Sequence, residues 1–274
     1  MTEAFRDKQA KLRGILEGMD SIIVAYSGGV DSAYLACAAA EARPGRVLCV
    51  TADSPSYPRR HREIAERIAR EFSLPHEFIA TSEMERAEYR ANPANRCYYC
   101  KHELYTRLSE FARERRYAVV VDGNNADDRG DYRPGRQAAR EFGVRSPLDE
   151  ADLTKDDVRA LSREHGLPIW NEPASACLSS RIPYLQEVTE EKLQMVEQAE
   201  EALRDLGFRV VRVRHHDTLA RLEMHRDEMA RALEPAVNEA IVRALKAIGY
   251  RFISLDLQGY RTGSLNEVLR LHPA

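Results

Sequence analysis

Ser27-Gly28-Gly29-Val30-Asp31-Ser32 stands between the apolar, β-branched run SIIVAYS (21–27) and the run AYLACAAA (33–40). It therefore reads as a loop joining a strand to a helix. Two adjacent glycines let the backbone come close to an anion, and the N–H groups that open the helix then bind phosphate with the help of its dipole. Ser27 and Ser32 add hydroxyl donors, and Asp31 is placed to hold Mg²⁺ near the phosphates. No Gly-Lys-Ser/Thr follows, so this is not a Walker A sequence. A tight Gly-Gly turn without a ligand is the bland alternative, and the strand–loop–helix context stands against it. Two further loops end strands in the same way. Thr51-Ala52-Asp53-Ser54 is placed to hold a base or ribose. In Asp122-Gly123-Asn124-Asn125-Ala126-Asp127-Asp128, Gly123 allows close approach of a base, and Asp127 and Asp128 order Mg²⁺ or the loop. Singly, each aspartate is an ordinary cap or turn residue.

The five cysteines fall into two groups. Cys37 (in AYLACAAA) and Cys49 (in VLCV) read as small buried hydrophobes. Cys97 and Cys100 form a CxxC at the start of a helix in Asn95-Arg96-Cys97-Tyr98-Tyr99-Cys100-Lys101, and Cys177 lies in ASACLSSR. A CxxC holds two thiols within reach of one metal centre, and Arg96, Lys101 and the helix N-terminus favour thiolates. The residues leave several readings open: a zinc site with His102 as fourth ligand, a redox pair with a third thiol as nucleophile, an iron–sulfur cluster with one iron not bound by cysteine, or three unrelated thiols. An odd cysteine count argues against a disulfide framework.

Arginines form the third group. In Arg209-Val210-Val211-Arg212-Val213-Arg214-His215-His216, a strand by composition, Arg212 and Arg214 share one face roughly 7 Å apart while Val211 and Val213 face a core. Two guanidiniums on one face suit a phosphate or carboxylate. Arg181 and Arg261 are further candidate anion contacts. A solvated face with surface ion pairs is the competing reading.

The elements that must position these residues alternate. Strands are expected at 21–27, 46–53, 74–80 and 117–123, and helices at 2–17, 33–40, 58–71 and 101–115. This predicts an α/β fold, a doubly wound parallel sheet whose ligand lies at the carboxyl ends of the strands. Thr154 caps another helix that stops at Gly166, and the proline-rich segment 168–185 breaks the pattern. A smaller C-terminal α+β domain follows, with a helix at 189–206, strands at 208–214 and 218–224, a helical stretch at 226–247 and a last strand at 251–257. The expected division is 1–184 for nucleotide binding and 185–274 for substrate binding or oligomerisation.

Composition sets outer limits. The chain has 274 residues and a formal net charge of -3, which does not favour a nucleic-acid partner. No apolar run reaches the roughly 20 residues of a membrane span, and the charged N-terminus lacks a signal-peptide core. No membrane association and a cytoplasmic location are expected.

SGGVDS matches SGGxDS, the PP-loop pattern of enzymes that split ATP between its α and β phosphates. Taken with DGNNADD, NRCYYCK, ASACLSSRIPY, RVRHH and DLQGYRTGS, it resembles the ATP-dependent sulfur transferases of the LarE type, which make the nickel-pincer cofactor of lactate racemase. The resemblance runs from residue 20 to residue 265, and ACLSSRIPY and LQGYRTG are its specific parts. It implies a PP-loop ATP pyrophosphatase fold, similar to the adenine nucleotide alpha hydrolases. It also implies a substrate, pyridinium-3,5-biscarboxylic acid mononucleotide, of which one carboxylate is adenylylated and converted to a thiocarboxylate. ATP and Mg²⁺ would be held by Ser27, Gly28, Gly29, Asp31, Ser32, Asp53, Gly123, Asp127 and Asp128. Arg181, Arg212, Arg214 and Arg261 would bind the mononucleotide, with Asp31, Cys177, Arg212 and Arg214 acting in catalysis. Some such enzymes sacrifice the cysteine at the position of Cys177. Those with a CxxC as well are thought to carry a [4Fe-4S] cluster, here on Cys97, Cys100 and Cys177. A homo-oligomer, a hexamer by the resemblance, is expected. One departure is Leu185, where glycine is expected after RIPY. The competing classes are another PP-loop adenylating enzyme, either a tRNA thiolase or an amidating synthetase, and a non-catalytic nucleotide-binding redox sensor.

Overall fold

A computed structural model of the chain describes residues 3–130, 134–172, 176–261 and 263–266. The chain divides into two compact units, Met1–Glu83 with Asn95–Ser175, and Met84–Ala94 with Ala176–Ala274.

The first unit is built on four parallel strands, β1 (Ile22–Ala25), β2 (Val47–Asp53), β3 (His76–Ala80) and β4 (Val119–Val121), in the order β3-β2-β1-β4. Ile22 pairs with Val47 on one side and Val119 on the other, so the first strand is central. The β-branched residues that predict these strands alternate between two buried faces. Ile22, Val24, Val47, Cys49 and Val121 pack beneath helices Glu3–Glu17, Val30–Ala42 and Lys155–Glu164. Ile23, Leu48, Val50 and Val120 pack against Tyr105, Leu108 and Ala112 of helix Arg96–Arg115 and against Ala138 and Ala139 of helix Gly135–Glu141. Two covered faces are why these strands read as continuous apolar runs rather than alternating ones. Cys37 and Cys49 lie in the first of these cores, where burial pushes each thiol up to about 12. They are small core hydrophobes, as their sequence context predicts.

The second unit holds β5 (Val211–His216), β6 (Leu219–Met224) and β7 (Phe252–Leu255), with β5 antiparallel and β7 parallel to the central β6. Val211, Val213, Ala220, Leu222 and Met224 form its core with Ala199 and Leu203 of helix Glu190–Asp205 and with Ile241 and Leu245. The helical stretch expected at 226–247 is two helices, Arg226–Ala232 and Pro235–Ile248. Pro235 lacks an N–H and fits only the first turn of a helix, so it starts the second rather than continuing the first. Among the described residues no helix is long and apolar enough to cross a membrane.

The segment before β5 is clipped to Met84–Ala94. The Leu185 N–H donates to the Asn92 carbonyl at 2.9 Å, and the Val188 N–H to that of Arg90 at 2.8 Å. The side-chain amide of Asn92 donates to the carbonyls of Pro183 at 2.7 Å and Ile182 at 3.3 Å. Leu185 sits at φ 65°, which explains the glycine expected there, and its side chain is 83% exposed. A left-handed conformation costs an L residue about 1 kcal/mol or more, and glycine's freedom in the unfolded chain takes back about 0.4–1 kcal/mol. Leu185→Gly is therefore expected to keep or raise the unfolding free energy by up to about 1 kcal/mol in a urea titration. Leu185→Ala, which retains the Cβ, should gain nothing, and a glycine variant less stable than the alanine one would refute the assignment of strain.

Candidate active site

The phosphate loop leaves the carboxyl end of β1, and Gly29 is the N-cap of helix Val30–Ala42. Gly28 has φ 68°, and a Cβ there would come within 2.9 Å of the Ala65 Cβ and 3.0 Å of the Ala65 N. Both its conformation and its neighbour exclude a side chain. The Ser27 N–H donates to Ser32 Oγ at 3.2 Å, and Ser32 Oγ donates to the Gly29 carbonyl at 3.0 Å. Ser27 Oγ lies 3.2 Å from Ser32 Oγ and accepts the Gly29 N–H at 3.4 Å. The loop is thus held curled before any ligand arrives. From the loop after β2, the Tyr57 hydroxyl donates to the Ser27 carbonyl at 2.9 Å. Burial raises that hydroxyl well above the usual tyrosine range, so it remains a donor.

The loop after β4 lies directly on the phosphate loop. A Cβ on Gly123 would fall 3.0 Å from the Ser32 N and 3.2 Å from its Cα, so what approaches Gly123 closely is the backbone of Ser32. Beneath it, buried Asp122 accepts from Tyr105 at 2.7 Å and Ser146 at 2.7 Å, and from the Asn124 side chain at 2.6 Å. Asn125 Nδ2 donates to Asp31 Oδ1 at 3.3 Å. Asp128 accepts the Asn125 N–H at 3.0 Å, and Asp127 accepts the Lys155 N–H at 2.8 Å. Of the two uses expected for these aspartates, ordering the loop is the one the hydrogen bonds display. Asp53 at the end of β2 is paired with Arg62, whose guanidinium lies 4.2 Å from the centre of the Phe78 ring.

Lys155 was not a sequence candidate. Thr154 and Asp157 form a capping box that fixes the start of helix Lys155–Glu164, and the Lys155 ammonium there pairs with Asp31 of the phosphate loop. The signature TKDD predicts a helix start but carries no sign of its neighbour 124 residues earlier in the chain.

Cys97 and Cys100 occupy the first turns of helix Arg96–Arg115, exposed and partly exposed respectively. They are three residues apart and therefore neighbours on the helix surface. His102 packs edge-on against Phe142, with ring centres 5.0 Å apart. Cys177, in the second unit, is the partly exposed N-cap of the short 3₁₀ turn Leu178–Arg181. Among the described residues no three His, Cys, Asp or Glu side chains form a group that could hold a metal ion.

In the second unit Arg212 and Arg214 share the face of β5 opposite the Val211/Val213 core, as the period of two predicts. Instead of a solvated face, both are buried. Arg214 makes a two-pronged pair with Glu223 of β6 at 2.9 and 2.7 Å, and also donates to Ser264 Oγ at 2.6 Å. Arg181 makes the same kind of pair with Glu200 at 2.8 and 3.1 Å, and Arg204 adds a bond to Glu200 at 2.8 Å. Burial pushes the Glu200 carboxyl up, but Arg181, Arg212 and Arg204 outweigh it and hold it down at about 2. Arg212 lies over the Tyr260 ring at 5.3 Å. Burial and the positive charge of Arg181 together pull its guanidinium down to about 10, with Glu200 opposing. Arg261 donates to the Gly259 carbonyl at 3.4 Å. Glu200 could have been noticed from sequence, since it falls on the apolar stripe of Leu193, Val196 and Leu203. Glu223 could not, because Leu-Glu-Met reads as an ordinary alternating strand. Ala174, Ser175 and Thr262 of the quoted motifs lie outside the described residues.

Residues 21–237, from the first strand to the start of the last helix, match the asparagine synthase family, a PP-loop family. An uncharacterised protein of Synechocystis sp. is 43% identical over 96% of this chain and 98% of its own length. The pyridinium-3,5-bisthiocarboxylic acid mononucleotide synthase of Lactiplantibacillus plantarum is 37% identical over 96% of this chain and 95% of its own. An uncharacterised protein of Methanocaldococcus jannaschii is 30% identical over 88% and 91% respectively. With the phosphate loop, the parallel sheet and these full-length relatives in agreement, the chain belongs to the PP-loop enzymes and, among them, to the ATP-dependent sulfur transferases of the LarE type.

Proposed function

We propose that this enzyme adenylylates a carboxylate of pyridinium-3,5-biscarboxylic acid mononucleotide and replaces the activated oxygen with sulfur. The observation that carries the reading is the preformed phosphate loop, with Gly28 locked against Ala65 and Asp31 paired to Lys155. The name of the Lactiplantibacillus relative supplies the acid.

A carboxylate is a poor electrophile. Attack of its oxygen on the α-phosphorus of ATP forms an acyl adenylate and expels pyrophosphate. A sulfur nucleophile then adds to the acyl carbon and AMP leaves. The N–H groups and hydroxyls of Ser27, Gly28, Gly29 and Ser32 receive the departing pyrophosphate. Asp31 is the carboxylate suited to Mg²⁺, which spreads the phosphate charge, and Lys155 turns its ammonium from Asp31 to the phosphates when the nucleotide binds. Asp53 and Gly123 face the ribose and base, while Asp127 and Asp128 keep their loop in register. Arg212 and Arg261 take the phosphate and carboxylates of the mononucleotide, and Arg214, held by Glu223 and Ser264, stands beside Arg212 on the same strand face. Support comes from the position of Arg212, which lies on the same strand face as Arg214 and over the Tyr260 ring.

The resemblance implies a [4Fe-4S] cluster. Cys37 and Cys49 are buried with thiols held near 12, which leaves Cys97, Cys100 and Cys177 as the three available ligands. These three cysteines would hold such a cluster, and it would supply sulfur at the sulfide level. An odd number of cysteines, five, also suits the reducing cytoplasm.

Three outcomes test this reading. Lys155→Met should lower pyrophosphate release on the order of 100-fold, the usual loss when one preorganised donor to a developing charge is removed. An unchanged rate would take Lys155 out of the site. Arg212→Ala should weaken mononucleotide binding, measured calorimetrically, by about 10- to 100-fold while ATP binding holds. Unchanged affinity would exclude Arg212. Finally, anaerobic protein reconstituted with iron and sulfide should contain both in about equal amounts, with the content lost in Cys100→Ser. Zinc in their place would sink the cluster.

A further inference from the structure

Arg181 and Arg212 look alike in the sequence, yet the structure employs them differently. Arg181 is 1% exposed, the largest fully buried side chain among the described residues. Its Nε and Nη2 are given to the two oxygens of Glu200. Its Nη1 reaches the carbonyl of Ala176 at 2.9 Å, that of Cys177 at 3.0 Å and the Ser180 hydroxyl at 2.9 Å. All three guanidinium nitrogens are therefore engaged inside the unit. An anionic substrate could reach this charge only by displacing Glu200. That carboxylate is itself buried and accepts the Val213 N–H at 3.2 Å and Arg204 at 2.8 Å.

What the guanidinium does hold is the peptide around Cys177. Two successive carbonyls, on either side of the Cys177 N–H and Cα, are turned toward one nitrogen. Ser180 Oγ donates to the Cys177 carbonyl as well, at 2.8 Å. The rest of the turn is fastened in sequence. Ser179 Oγ lies 2.6 Å from the hydroxyl of buried Tyr89, and the Ser180 carbonyl accepts from Arg214 at 2.6 Å. Amid these anchored atoms the Cys177 side chain remains partly exposed. A fixed backbone beneath a partly exposed thiol sets the direction in which the Cys177 side chain projects.

We propose that Arg181, locked by Glu200, is the positioning residue of Cys177 and not a ligand of the substrate. The proposal rests on the reading above, in which Cys177 is one of the three thiols that serve sulfur transfer. It depends on a planar fork able to bond a carboxylate along one edge and carbonyls from the remaining nitrogen. A lysine carries the same charge on a single nitrogen and cannot do both.

The deciding variant is Arg181→Lys, compared with wild type and Glu200→Gln. Arg181→Ala strands the buried Glu200, so circular dichroism checks its fold and the lysine variant carries the test. Three quantities are read: affinity for pyridinium-3,5-biscarboxylic acid mononucleotide, pyrophosphate release from ATP, and thiocarboxylate formed. In a Cys97→Ser/Cys100→Ser background, the rate of Cys177 alkylation by iodoacetamide is the fourth. Arg181→Lys should keep mononucleotide affinity and pyrophosphate release close to wild type. It should lower thiocarboxylate formation by about 10- to 100-fold, the scale on which a small misplacement of a reacting group acts, and change the alkylation rate. Weakened mononucleotide affinity, or full thiocarboxylate formation with lysine, would overturn the proposal. If wild type forms no thiocarboxylate at all, the sulfur-transfer reading fails, and the alkylation rates still decide whether Arg181 sets the thiol.

Discussion

A polyanion must be bound by backbone at the end of a strand, and the first unit is arranged around that constraint. Backbone N–H groups can converge on a phosphate only if no side chain stands between, which is why Gly28 occupies a left-handed conformation against Ala65. The same constraint spreads outward. Helix Arg59–Glu71, which carries Ala65, must present its smallest side chain at that point, and Gly123 must let the fourth-strand loop settle onto Ser32. Tyr105 reaches from helix Arg96–Arg115 to grip Asp122 beneath that loop. The order β3-β2-β1-β4 puts the phosphate loop on an inner strand, so neighbours on both sides can brace it.

The second unit meets a different difficulty, the burial of charge. Taking an ion out of water costs several kcal/mol, recovered only where geometry and further hydrogen bonds are good. Arg181–Glu200 and Arg214–Glu223 meet that condition, because each is a two-pronged pair whose remaining atoms find backbone or hydroxyl partners. Apolar residues of similar volume could hold such a sheet as well, so stability alone does not account for these pairs. What apolar residues could not do is fix carbonyl directions around Cys177. In the first unit the pairing of Asp31 with Lys155 does related work, since each ion there has an opposite charge as its partner.

Much of this was legible in the chain because the informative residues obey local rules. Four β-branched runs and the helices between them announce a parallel sheet, and SGGVDS announces its own loop. The spacing of Arg212 and Arg214 gave their shared face, and Leu185 marked a position whose backbone favours glycine. Three things were hidden for one reason: they depend on partners distant in sequence. Lys155 meets Asp31 through tertiary packing, and the capping box that names its helix says nothing of the destination. Glu223 disappears into an ordinary strand alternation until Arg214 of the next strand gives it meaning. Arg181 is a surface-type residue by composition, and only the buried Glu200 turns it into a brace. The break at Pro235 is the opposite case, a local rule overridden in reading by a persuasive run of helix formers on both sides.

Sulfur chemistry places opposite demands on one residue type, and burial separates them. A thiol that packs a core must stay protonated, and Cys37 and Cys49 are held so by their surroundings. A thiol that binds metal or attacks an electrophile must reach solvent or ligand as a thiolate, which the core forbids. Cys97, Cys100 and Cys177 stand outside the cores, at the openings of helical turns. Accessibility alone would leave the sulfur mobile, and a mobile nucleophile loses the advantage of a fixed approach to an acyl adenylate. At Cys177 the missing rigidity comes from the peptide and not from the side chain. The buried charge of Arg181, costly on its own, thus becomes the means of keeping a thiol both free and aimed.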